Sequence, residues 1–132
     1  MVMNQDMLPE DLRRFILTIP SIPYLEAILL FRNEPNLPWE TETVGKRLYM
    51  PEEQAEDIIK TLCAARICAP LPDRPNQYQY QPESESLANL INCLATFYAK
   101  NLIEVTNMIH SQSSKNHRVR QLAEAFRWRK EK

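Results

Sequence analysis

Residues 39–81 read WETETVGKRLYM, then PEEQAEDIIKTLCAARI, then CAPLPDRPNQYQYQ. Three readings decide this stretch. Val44 and Leu48 lie four apart, as an inward pair on a short helix does, with Thr41 as its N-cap. Gly45 sits between them, where a neighbouring helix can approach closely. Tyr49 and Met50 then make a turn. Pro51 opens a longer helix at its first position, with Glu52 and Glu53 in the first turn and Ala55, Ile58, Ile59 and Leu62 as the inward stripe. Tyr78 and Tyr80 alternate with Gln77, Gln79 and Gln81 at the period of a strand. Pro70 and Pro72 make the partner strand an edge or an irregular one. With no Gly near 73–76, the hairpin loop is expected to exceed two residues.

Upstream, Leu12, Phe15, Ile16 and Ile19 share one helical face behind Pro9, Glu10 and Asp11. That helix stops before Pro20. Ser21 caps the next one, whose sequence IPYLEAILLFRN is apolar almost all round and so is buried on more than one side. Downstream, one long helix is expected from Ser84 or Ser86 to about Ser111. Ile91, Leu94, Tyr98, Asn101, Val105 and Met108 alternate steps of three and four on it, a heptad-like seam. With Leu87, these residues form the expected interface of a homodimer. The alternative is that the first helix and the tail fold back over them. After a polar break, SQSSKNH, the ending HRVRQLAEAFRWRKEK reads as an amphipathic basic helix.

These readings give a mainly α chain with a small β-hairpin. Residues 1–20 form an N-terminal helical extension, 21–83 a helix-turn-helix with a hairpin, 84–112 a long helix and 113–132 a basic C-terminal helix. The 132 residues suffice for one domain with a core. One Gly and ten Pro fit a helical protein with Pro-punctuated joints. No apolar run reaches membrane-spanning length and no signal peptide is evident, so a cytoplasmic protein without membrane contact is expected. Cys63, Cys68 and Cys93 lack metal-ligand spacing and read as reduced, small buried hydrophobes.

The resemblance enters at Thr41 to Gln81. Helix 2 as TETVGKRL, the third helix as PEEQAEDIIKTLCAARI and the hairpin after it resemble the winged helix-turn-helix proteins of the bacterial transcriptional-regulator type. The likeness covers roughly residues 21–110. It implies a DNA-reading third helix and a following helix that dimerises, as it does in several regulator families. The ending AEAFRWRKEK is similar to the tails of uncharacterised bacterial winged-helix proteins, which implies no activity. The chain departs from the regulators' pattern in three places. No Gly occupies the helix-turn-helix turn, Arg66 rather than Gly precedes the hairpin, and the hairpin tip has one basic residue, Arg74.

Charge then divides the functional readings. Residues 1–110 carry 9 Lys/Arg against 15 Asp/Glu, and residues 111–132 carry 7 against 2, an acidic body with a basic tail. Between 51 and 62 the third helix carries Glu52, Glu53, Glu56 and Asp57 against Lys60 alone, a balance of −3. Phosphate binding needs the opposite sign. The candidate nucleic-acid contacts are Lys46, Arg47, Gln54, Arg74, Arg127, Arg129 and Lys130. Trp128 could stack on a base, or Phe126 and Trp128 could anchor the tail on the body or on a dimer mate. Neither His110 nor His117 belongs to a catalytic or metal motif, and no cofactor motif occurs. The expectation is therefore a non-enzymatic regulatory module working through a protein partner, with no cofactor. The alternative is a transcriptional regulator binding DNA through helix 2, the hairpin and the basic tail.

Overall fold

The computed structural model describes residues 9–111. The expected contacts Phe126, Arg127, Trp128, Arg129 and Lys130, with His117 and the rest of the tail, lie outside the described residues. The elements run α1 (Glu10–Thr18), α2 (Ile22–Asn33), α3 (Thr41–Arg47), α4 (Glu52–Ala64), β1 (Cys68–Leu71), β2 (Arg74–Tyr80) and α5 (Glu85–Lys100). A further helical segment, α6, spans 102–111. The protein is mainly helical with a small two-stranded antiparallel sheet.

The core is made by the stripes that the periodicity marks. Leu12 and Ile16 of α1, Leu25, Ile28 and Phe31 of α2, and Ala55, Ile58, Ile59 and Leu62 of α4 are all buried. They meet Ile91, Leu94 and Phe97 of α5. Helix α2 packs against α4, α5 and β2, as an all-round apolar helix must. Ser21 stands at its N-cap position, without a side-chain capping bond. Arg32 Nε donates to Asn92 Oδ1 at 2.9 Å and ties α2 to α5. Ser84 is the N-cap of α5, its hydroxyl accepting from the Leu87 N–H at 3.1 Å.

Both ends of the α3–α4 unit differ slightly from expectation. Glu40, not Thr41, is the N-cap residue of α3, and Thr41 donates its hydroxyl to Glu52 Oε2 at 3.1 Å. Pro51 takes the N-cap position of α4 rather than its first turn. The close approach at Gly45 is real: a Cβ there would lie 2.9 Å from the Met50 carbonyl oxygen.

The hairpin departs from expectation more clearly. Leu71 pairs with Arg74, so the reversal takes only Pro72 and Asp73. The slack is absorbed in β2, where the register shifts between Pro70↔Tyr78 and Leu71↔Arg74. Strand β1 is an edge, which accommodates Pro70. The exposure of 77–80 does not alternate, because the loop before α3 covers the glutamine face. Gln77 Nε2 donates to Glu40 Oε2 at 3.1 Å, and Gln79 Nε2 to the Asn36 carbonyl at 3.0 Å.

The single long helix over 84–112 is corrected to two. Asn101 leaves helical geometry at φ −132° and ψ 52°. Its side-chain amide turns back to donate to the Phe97 carbonyl at 3.1 Å, the local competition by which Asn ends helices. Its own carbonyl accepts from Val105 N–H and starts α6. The break changes the environment of the seam. Ile91, Leu94 and Val105 are fully buried within this one chain, so they are not surface for a second copy. Tyr98, Asn101, Met108 and Leu87 are half-buried. Helix α1 lies against α5, with Phe15 beside Leu87 and Leu90. What α6 leaves outside instead is Leu102 and Ile103, at 54% and 74% exposure.

Candidate functional site

The site that the fold assembles is the outer face of α3, α4 and the turn between them. Burial of Val44 and Gly45 on α3, and of the four-residue stripe on α4, fixes which side faces out. That side of α4 carries Glu52, Glu53, Gln54, Glu56, Asp57 and Lys60, all exposed. Lys60 Nζ sits 3.3 Å from Glu56. Pairs of this kind at four-residue spacing contribute only a few tenths of a kcal/mol, but they neutralise the one cation of the face. The surface is therefore acidic.

Two of the cations expected to meet phosphate, Lys46 and Arg47, lie beside the protein's own acids. Lys46 Nζ lies 3.4 Å from Glu42. Arg47 lies 3.9 Å from Glu34, and its guanidinium stands 5.3 Å over the ring of Trp39. Arg74 at the hairpin tip reaches Gln77 Oε1 at 3.5 Å. Gln54 is exposed at the start of α4, amid carboxylates. Lys46, Arg47, Gln54 and Arg74 are all exposed.

Two residues were missed by sequence reasoning. The first is Trp39, two residues before the start of α3. It is fully buried, and its backbone exchanges two 2.7 Å hydrogen bonds with Tyr78, adding a one-residue third strand beside β2. Its ring packs on Phe31 with centroids 6.0 Å apart. Its Nε1–H is buried with no acceptor among the described residues, a cost of about 1–3 kcal/mol that ring packing must exceed. An apolar Trp directly before a helix, facing a Tyr-Gln alternation, was the available signal.

The second is Tyr49. It adopts φ 57°, the left-handed region, and is 95% exposed at the tip of the α3–α4 turn. Met50 N–H donates to the Gly45 carbonyl and Tyr49 N–H to that of Lys46, the paired bonds of a helix end that normally uses Gly. The absence of Gly from this turn was the signal that some other residue must take the left-handed position. The tyrosine ring thus projects into solvent directly before the acidic first turn of α4.

Elsewhere, a shallow groove of about 400 Å³ lies between α1 and α5, lined by Phe15, Leu87 and Leu90 with Asp11 and Arg14 at its rim. Cys93 is exposed, which corrects its reading as a buried hydrophobe, whereas Cys68 is buried and Cys63 half-buried. Burial raises the thiols of Cys63 and Cys68 above their usual range; the neighbouring sulfur adds to the effect at Cys68. Burial also raises the Tyr80 hydroxyl, against the opposing charge of Arg32. Among the described residues no group of three or more His, Cys, Asp and Glu is placed to hold a metal ion, and no single helix is long and apolar enough to cross a membrane. Comparison with family models, with curated proteins and with solved structures gave no match.

Proposed function

We propose that the chain is a non-enzymatic regulatory module of the winged helix-turn-helix kind, working mainly by contact with another protein. The order α2, Trp39 bridge, α3, α4, β1, β2 supports the winged-helix reading, with the hairpin as the wing. The observation that carries the contact reading is the outer face of α4. Four exposed carboxylates stand where a DNA reader presents donors, and the one Lys among them is paired. Tyr49 adds a rigid aromatic at the edge of that face, a residue type favoured in protein interfaces. The partner surface is basic, with an apolar patch to receive the ring. Self-association remains part of the proposal, through the exposed Leu102 and Ile103 rather than the seam, whose Ile91, Leu94 and Val105 are buried.

Titration of the full chain against random duplex DNA at low and moderate salt tests this reading. The expected outcome is that Lys46→Glu with Arg47→Glu changes nothing in whatever weak, salt-sensitive binding the low-salt titration shows. Binding that this pair abolishes, and that survives removal of residues 112–132, overturns the contact reading in favour of a transcriptional regulator. Light scattering tests self-association: a dimer mass that Ile103→Glu reduces to the monomer is expected, and a monomeric wild type at high concentration removes it.

A further inference from the structure

The joint between α4 and the hairpin brings two cysteines together. Cys63 lies in the last turn of α4 and Cys68 opens β1, with their sulfurs 3.5 Å apart. A disulfide bond is about 2.05 Å long, so the sulfurs need approach by only about 1.5 Å. Cys63 is half-buried and reachable from solvent, whereas Cys68 is 2% exposed and paired through its backbone with Tyr80. Between them the chain makes a full helix-ending turn. Arg66 N–H donates to the Cys63 carbonyl and Ile67 N–H to that of Leu62, with Arg66 at φ 66°. The two thiols thus face each other across a joint whose backbone is already fixed by hydrogen bonds.

We propose that Cys63 and Cys68 are a modification site that closes to an intramolecular disulfide with a small disulfide oxidant such as oxidised glutathione. The Cys63 thiolate attacks the oxidant, forming a mixed disulfide and releasing one glutathione thiolate. The Cys68 sulfur then attacks the Cys63 sulfur and releases the second. Two thiols are oxidised by two electrons, one disulfide is reduced to two thiols, and the two protons pass to the departing thiolates. The bond would clamp the end of α4 to the first strand. Burial keeps both thiols protonated at neutral pH, so closure is slow there and speeds up by about tenfold per pH unit toward alkaline pH.

Peptide mapping of the folded full chain in a Cys93→Ser background tests this. Cys93 is exposed, so the substitution leaves the fold intact and removes the one competing thiol. Trypsin cuts after Lys60, Arg66 and Lys100 but not at the Arg74–Pro75 bond, so peptide 61–66 carries Cys63 and peptide 67–100 carries Cys68. After oxidised glutathione the two peptides should remain joined, lighter by two hydrogen atoms, and separate on adding dithiothreitol. Cys63→Ala should abolish the joined species. Glutathione left on Cys63 with peptides 61–66 and 67–100 separate, or joining only when denaturant is present, overturns the proposal. So does complete resistance of Cys63, the solvent-reachable thiol that must react first, to the oxidant at alkaline pH.

Discussion

Two joints flank α4, and they end their helices by the same set of bonds. At the first, α3 closes through Tyr49 at φ 57°, and Met50 N–H reaches back to Gly45. At the second, α4 closes through Arg66 at φ 66°, and Ile67 N–H reaches back to Leu62. Neither left-handed residue is Gly, so each joint carries strain of about 1–2 kcal/mol. What differs is the source that offsets it. The second joint drives Ile67, at 2% exposure, into the core beside Leu62. The first leaves Met50 half-buried and Tyr49 outside, and relies on the missing Cβ of Gly45 to bring α4 close. One joint is held by buried apolar area and the other by shape.

Ile67→Ala should therefore have the largest effect. It removes a buried side chain from the second joint and should cost about 2–5 kcal/mol in urea unfolding. Met50→Ala, at the equivalent place of the first joint, should cost clearly less. Equal losses would mean that the two joints are held alike. Gly45→Ala comes next. On an ordinary exposed helix the change stabilises by about 1 kcal/mol. Here the new Cβ meets a backbone oxygen at 2.9 Å, and the expected result is a loss of about 1–3 kcal/mol. A gain would show that α3 and α4 can separate without cost.

The second joint should also respond to pH, since both thiols lie on it. Their folded-state pKa values are raised above the ordinary value of 9.0. The folded state therefore keeps protons that the unfolded state releases. Their contribution is fully present below pH 9 and declines above it, by up to about 1.4 kcal/mol per pH unit for the buried Cys68 and by less for the half-buried, solvent-screened Cys63. Denaturation between pH 8 and 10.5, under reducing conditions, should show that decline. Cys68→Val should flatten it, and an unchanged slope in that variant would assign the decline to other groups such as Tyr80.

The joints also show what a sequence conceals. The helices were legible because Leu12, Ile16, Ile58, Ile59 and Leu62 recur at helical spacing, and burial obeys that period. The acidity of α4 was legible because exposed charge needs no partner to be counted. The break at Asn101 was not, because the apolar steps continue through it and the local side-chain bond to Phe97 decides the matter. The one-residue strand at Trp39 was hidden because its partner, Tyr78, lies far along the chain. The pairing of Lys46 with Glu42 follows four-residue spacing and could have been read, whereas Arg47 with Glu34 and Trp39 depends on how the loop before α3 folds.

The smallest expected effects are the most direct test of the shared strain. Glycine at either left-handed position relieves the clash between Cβ and the neighbouring carbonyl but adds freedom to the unfolded chain, so the net gain should be about 0.5–1 kcal/mol. Tyr49→Gly loses almost no packing, since the ring is 95% exposed, and should show that gain undiminished. Arg66→Gly should match it, because Arg66 is exposed and its backbone bonds do not depend on the side chain. The two variants separate once binding is measured. Under the contact reading Tyr49 belongs to the interface, so a partner recovered with the wild type should bind Tyr49→Gly more weakly although the protein itself is more stable. Arg66→Gly should gain stability and keep the partner. A destabilised Tyr49→Gly would instead mean that the ring holds the α3–α4 turn, and its exposure would then say nothing about contact.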